Sequence, residues 1–437
     1  MRRWRCLSKQ HHTNYSDPFV LPAVRDKGYG KHMAIKTAPG NEAVKIGLEV
    51  LCGVLVIFAA GCSGSSVVRG GPTPTPGLTP RMLVSDNTSG TVNVVDARTD
   101  AITKTVATAS PGKMVSAGGT TLIQSTISSS VAIFDNATET IRFTVALATL
   151  PVDVAITPNG ATAWVAEGNG TVQSINTTNG TITGTFTVAG VQRLVVGPQG
   201  LNVLVFNDTL AINFTVITPT GSFQIGNAGL DHPSNAFFVV DDNHFVVMNC
   251  GKECGGTQAS VASVALNVPG GPSVSTPLSL SGATVGLLNG ASAFVSGSPA
   301  TGLNAGTVQV VNNSTFTAGP AINIADGRHN LMALTSNGRL YVGAATCTLG
   351  AVNAQNQRQG CLSIFDTGTS AVTPALLPAT RPNGDVTALA PVTGRGVIYV
   401  VQGGRVDIFD ITTNAVSTTA TPPNPPGTVV GAVQLSP

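Results

Sequence analysis

Charged side chains are scarce in this chain, so their positions carry information. Its 437 residues include only 23 Lys and Arg, 21 Asp and Glu, and six His. A set of them stands at equivalent places, just before short apolar runs: Lys113, Asp153, Arg193, Asp231 with His232, Asp326 with Arg328 and His329, and Arg381 with Asp385. Brought to one place, such groups would bind a polar ligand. Left apart, they would be solvated or would bond to neighbouring segments. No catalytic constellation stands out: the sequence lacks a Gly-x-Ser-x-Gly elbow, a His-Glu-x-x-His helix and a phosphate-cradling glycine loop. The carboxylates of the set stand beside cations, an arrangement that would repel a divalent metal. Four cysteines lie in two long polar stretches, Cys250 with Cys254 and Cys347 with Cys361. A disulfide within each stretch is the simplest of three connectivities. A four-cysteine zinc site is the alternative, but Cys250-Gly251-Lys252-Glu253-Cys254 has no second close pair to face it.

The elements that position these residues are legible in the stretch Pro151 to Asn176. Val152–Thr157 alternates around Val154 and Ile156, Pro158-Asn159-Gly160 turns the chain, Ala163–Ala166 is a second apolar run, and Thr171–Ile175 a third. Period-two runs bounded by Pro, Asn and Gly predict antiparallel strands joined by tight hairpins. The pattern recurs with second strands beginning near Met82, Thr121, Ala163, Asn202, His244, Ala293, Leu340 and Ile398. That spacing, roughly 40 residues and widening toward the C-terminus, suits propeller blades of four strands. Third strands end at Asp96, Asp135, Asn176, Thr218, Asn267, Asn312, Asp366 and Asp410. Metal ligation is one reading of these residues. A hairpin turn, in which the side chain bonds its own backbone two positions on, fits better. The first copy lacks a first strand, whereas the chain ends with a spare one, Gly427 to Pro437. A closed ring is therefore expected, with the last strand completing the first blade and leaving no open sheet edge.

These residues resemble the YVTN-type β-propeller repeat over about Arg81 to Pro437. The match is best at Pro151…Val154-Ala155-Ile156-Thr157-Pro158-Asn159-Gly160, Trp164-Val165-Ala166 and Gly170-Thr171-Val172…Ile175-Asn176. The resemblance implies an all-β propeller of eight four-stranded blades, with seven as the alternative. First strands would line a central channel, and the junction charges would ring one of its mouths. The connections Cys250–Gln258, Gly297–Gly306 and Ala344–Gly360 would build a wall beside that ring, since loops of this length are disproportionately functional.

Composition agrees. Hydrophobic residues make up 42% and charged ones 10%, with 50 glycines, which excludes disorder from low hydrophobicity. Aromatics are only 5%, so the core is expected to be Val, Ile, Leu and Ala. A net charge of +2 offers no basic field for nucleic acid.

Residues 1–61 read as a leader, with Met33 a plausible true start and Ile46–Ala60 an apolar run too short and too interrupted by Glu49 for a membrane span. Phe58-Ala59-Ala60-Gly61-Cys62 resembles the lipobox of bacterial lipoproteins. The resemblance implies cleavage before Cys62, its acylation and, from Ser63, the outer membrane. An ordinary signal peptide is the alternative. Residues 62–80, Gly/Ser-rich and then Pro-Thr-rich, read as a tether. Because Arg81 opens a second strand, it should lie at the end opposite Arg193 and His329, with the charged mouth pointing away from the membrane.

The functional expectation is a lipid-anchored, monomeric, non-catalytic binding module without a cofactor. Its partner would be an envelope protein, a glycan or a small molecule, held by Lys113, Asp153, Arg193, Asp231, His232, Arg328, His329, Arg381 and Asp385. A lactonase-like hydrolase or another channel enzyme is the alternative, because related propellers host such chemistry.

Overall fold

The computed structural model describes residues 67–68 and 80–437, except 208–210, 300–305, 325–326, 347–351, 353 and 379–383; for 67–68 and 358–359 it describes the backbone alone. Cys62, Asp326, Cys347 and Arg381 thus lie outside the described residues, as do residues 1–66 and 69–79 of the leader and tether. The described chain is almost wholly β, with one short 3-10 turn at Gly251–Cys254.

Eight antiparallel sheets form the blades. Naming strands A to D outward from the channel, the A strands of blades two to eight are Pro111–Ala117, Pro151–Ile156, Arg193–Val196, Pro233–Phe238, Val285–Asn289, His329–Leu334 and Val386–Val392. Each packs beside the next around the channel. Strand A of blade one is the chain's last strand, Val429–Gln434, which pairs with Arg81–Asp86 as expected for a closed ring. The count of eight holds, and the B strands start within one residue of their expected positions.

Alternation explains the core. In strand Arg81–Asp86, Leu83 packs toward blade two, whereas Met82 and Val84 pack toward blade eight. The same two-sided burial gives each of the eight blade interfaces its own apolar cluster. D strands are largely exposed, as in Ala101–Ala107. The core is not purely aliphatic: Phe134, Phe206, Phe214, Phe245, Phe365 and Phe409 are fully buried between blades, together with Tyr341 and Tyr399. The few aromatics are concentrated where sheets pack face to face, because that is where a large flat side chain removes the most surface from water.

The third-strand turn residues bond their own backbone. The Asp135 carboxylate accepts the N–H groups of Ala137 and Thr138, Asn312 those of Ser314 and Thr315, Asp366 those of Gly368 and Thr369, and Asp410 those of Thr412 and Thr413. These contacts hold the Asp410 carboxyl below its ordinary range, the Thr413 N–H being the largest influence.

The seam between blades eight and one is tied by charge as well as strand pairing. Arg395 donates to both carboxylate oxygens of Asp100, at 2.7 Å through Nη2, and to the Ala97 carbonyl. Tyr399 also donates to Asp100, whose side chain is 2% exposed. Burial first, and then the Asp100 carboxylate, push the Tyr399 hydroxyl above its ordinary range.

One element departs from the expected tether. Val67–Val68 pairs in parallel with His329–Leu334, Val67 opposite Met332 and Val68 opposite Ala333, as a fifth strand on the channel side of blade seven. Two β-branched residues meet an inner edge whose backbone groups would otherwise lack a strand partner.

Deleting residues 428–437 should abolish cooperative thermal unfolding followed by circular dichroism. Asp100→Ala should cost about 3 kcal/mol, the scale of stranding one partner of a buried ion pair, read by urea denaturation.

Candidate functional site

The junction charges do gather at one end of the ring, because A strands begin where B-to-C connections turn. Arg81 lies at the other end, next to Leu435 and in an ion pair with Glu139 of a blade-two turn. Yet the gathered charges divide into groups with different tasks.

Lys113 and Asp153 bind each other. The Lys113 ammonium donates to Asp153 at 2.6 Å, and the second carboxylate oxygen accepts the Leu194 N–H at 2.8 Å. Asp153 therefore staples blades two, three and four. Asp231 and His232 lock the loop of their own blade. Asp231 accepts the Thr257 hydroxyl and N–H and the Gln258 N–H, while its other oxygen meets His232 Nδ1 at 2.8 Å. Burial pushes the Asp231 carboxyl up, but the bonds from Thr257, Gln258 and His232 outweigh it and hold it at about 2. Gly256 must be glycine here, since a Cβ would stand 2.0 Å from the Asp231 carboxylate.

His329 does not face the mouth. It is fully buried, and a Cβ on Gly306 would lie 2.0 Å from its ring. Its neighbours Arg328 and Asn330 line the opening instead, because alternate residues of a strand face opposite ways. Asp385 is exposed at the edge of blade eight, its carbonyl accepting the Gly403 N–H.

Arg193 and Arg328 are brought together. They line one cavity of about 290 Å³ at the mouth of blades four to seven. Blade four contributes Gln192, Arg193 and Phe206; blade five Ser234 and Cys254; blade six Thr284; blade seven Arg328, Asn330, Ala345 and Thr346. The long B-to-C loop of blade five forms part of its wall. That loop contains the disulfide Cys250–Cys254. Cys361 is also disulfide-bonded, its expected partner Cys347 being outside the described residues.

Glu253 was not singled out by sequence, yet it organises this wall. Its side chain is 1% exposed; it accepts the Thr284 hydroxyl at 2.6 Å and the Ser298 N–H at 2.9 Å, and it meets Arg328 Nε at 3.4 Å. One carboxylate thus joins blades five, six and seven. Its position between two cysteines, in a loop predicted to be stapled, was the available signal. Thr284, Ser234 and Asn330 carry none, being ordinary polar residues at A-strand starts.

No protein-family model matches the sequence, and no curated protein is similar enough to match it. Solved structures of similar fold include a dihydro-heme d1 dehydrogenase, NirN, in complex with DHE, at 11% identity and a TM-score of 0.61, covering 85% of this chain and 79% of that one. Another is apo AztD from Citrobacter koseri, at 13% identity and a TM-score of 0.56, covering 82% and 98%. At these identities the likeness establishes the propeller fold and nothing of ligand or reaction.

Because the folded carboxyl of Asp231 sits below its ordinary value, the stability it lends the loop is full above pH 3.8 and falls away as pH drops toward about 2. The protection of the Thr257 and Gln258 amides, their exchange measured against the unfolded-peptide rate at the same pH, should therefore fall on acidification across that window. Asp231→Asn should show the lower protection already at neutral pH and little further change.

Proposed function

We propose that this chain is an extracytoplasmic, lipid-anchored β-propeller of YVTN type that binds a small ligand, without transforming it, in the cavity of blades four to seven. The observation that supports this reading most is the cavity itself. It is the place where side chains of four blades converge on one space, walled by a disulfide-stapled loop. Its volume, near 290 Å³, is at the small end for ligand sites. A solved structure of similar fold, NirN, is in complex with DHE.

The chemistry of the mouth argues for binding over catalysis. A general base works best with a pKa near the operating pH, and Asp231 is held at about 2. Asp153 is engaged by Lys113 and a backbone N–H, and Glu253 by Thr284, Ser298 and Arg328. Asp231 is spent on its own loop, and Asp153 and Glu253 on joining blades.

The anchoring part of the reading rests on the lipobox-like Phe58-Ala59-Ala60-Gly61-Cys62. Its orientation differs from that expected of a tether ending at Arg81. Strand Val67–Val68 runs parallel to His329–Leu334, so the chain enters it from the mouth end. Cys62 precedes Val67 by five residues, a reach of about 18 Å at full extension. An anchor there keeps the mouth on the membrane side.

In cells of a bacterial host, the protein should sediment with membranes and Cys62→Ser should move it to the soluble fraction; an unchanged distribution would remove the anchor. Native mass spectrometry of protein taken from its own envelope should show a small bound molecule that denaturation releases. Stoichiometric Ca²⁺ or Zn²⁺ instead would favour the channel-enzyme reading.

A further inference from the structure

We infer that the disulfide Cys250–Cys254 is a redox-active site: a small dithiol entering the cavity of blades four to seven reduces it, and reduction loosens the wall that Glu253 ties to blade six.

The two cysteines stand in different surroundings. Cys254 is half-buried and borders the cavity of about 290 Å³, whereas Cys250 is 1% exposed. Exchange requires a thiolate to reach one sulfur of the bond, so Cys254 is the one open to attack. A thiolate of the dithiol bonds to Cys254 Sγ, the disulfide breaks, and its electron pair goes to Cys250 Sγ, which takes up a proton. The second thiolate displaces Cys254 from the mixed disulfide and closes the dithiol into its own disulfide; Cys254 is protonated in turn. Two electrons and two protons pass from the dithiol to the protein.

The displaced sulfur has an acceptor in place. Cys250 Sγ lies 3.0 Å from the His232 carbonyl oxygen, which also accepts the Cys250 N–H at 3.1 Å. A disulfide sulfur has no hydrogen to donate. A thiol has one, and a carbonyl oxygen has two lone pairs. The reduced form therefore gains a hydrogen bond that the oxidised form cannot make.

The consequence runs through Glu253. It sits between the two cysteines in the turn Gly251–Cys254, so the disulfide spans the residues that aim it. Its side chain is 1% exposed and accepts the Thr284 hydroxyl and the Ser298 N–H of blade six. The turn's own backbone bonds are long: Glu253 N–H to the Cys250 carbonyl and Gly255 N–H to the Lys252 carbonyl are both 3.3 Å, against 2.8 Å from Gly256 N–H to the Gly251 carbonyl. A buried carboxylate regains its hydration whenever the segment carrying it opens. With the covalent closure gone, that opening becomes more frequent. Asp231 keeps the far end of the loop in place through Thr257 and Gln258.

The test uses the full chain, dithiothreitol and iodoacetamide. Well below the thermal transition, dithiothreitol should make Cys250 and Cys254 available to alkylation, located by peptide mass mapping, while the circular dichroism spectrum is kept. The Cys254 thiol of Cys250→Ser should be alkylated about 10-fold faster than the Cys250 thiol of Cys254→Ser, because reactivity follows exposure. In the reduced parent and in Cys254→Ser, protection of the Ser298 amide, measured against the unfolded-peptide rate at the same pH, should fall about 10-fold, within the range that losing a disulfide produces. The Gln199 and Leu201 amides, held by Asp242 at the other end of the ring, should keep theirs. Cys254→Ser leaves the disulfide of Cys361 in place and so separates the two bridges. Any of four results overturns the redox site or its coupling to blade six: neither cysteine reacts before the fold melts, Cys250 is the faster thiol, Ser298 keeps its protection after reduction, or Gln199 and Leu201 lose theirs equally. Should a Ser variant fail to fold, judged by its thermal transition, the reduced parent decides alone.

Discussion

The pairing of Val429–Gln434 with Arg81–Asp86 is the constraint on which the rest of the structure depends. An antiparallel match between the two ends of the folded chain turns an open row of sheets into a ring. Two apolar clusters, on either side of blade one, include residues of that C-terminal segment: Val429 and Ala432 toward blade eight, Val433 and Leu435 toward blade two. Side-chain bonds reinforce it: Asp86 accepts the Gly427 N–H at 2.8 Å, and the Asn136 amide donates to the Ser436 carbonyl at 2.8 Å. The Arg395–Asp100 pair closes the same seam from the outer side of the sheets. A central channel, and a mouth with blades facing one another across it, are geometric consequences of closure. A solenoid with the same sheets would not place Arg193 opposite Arg328.

Buried carboxylates are the second structural theme, and they share one physical cause. A blade junction or a tight loop leaves backbone N–H groups without a strand partner, and such groups must be satisfied once buried. Asp242 accepts three, from Gln199, Leu201 and Asn202 of the preceding blade. Glu167 accepts the Thr149 N–H, and Asp153 and Glu253 each accept one from a different blade. An ionised acceptor bonds more strongly than a neutral one, so few charges suffice to lock many junctions. This accounts for the low charge content of the chain.

The short strand Val67–Val68 changes the relation between the mouth and the start of the chain. Segments rich in Gly, Ser and Pro-Thr carry no pattern that would predict pairing, and two valines between them are too brief a run to read as a strand. Pairing arises because strand A of blade seven offers a free inner edge of matching direction. Opposite ends for Arg81 and Arg193 are correct, yet they do not determine where the preceding chain emerges.

The sequence by itself determined the fold class, the eight blades, the starts of their second strands and the closure of the ring. Each of these follows from local signals: two-residue alternation, turn residues, and a spare strand at the C-terminus. It also placed the charges at one mouth, since strand polarity alone decides that. Which charges meet was decided only by the tertiary structure. Lys113 and Asp153 are forty positions apart and cancel each other, His329 turns inward while Arg328 turns out, and Glu253 reaches two other blades. Contacts between blades depend on the rotation of one sheet against the next and on single side-chain directions. A period-two pattern is the same whichever neighbour a residue finally touches.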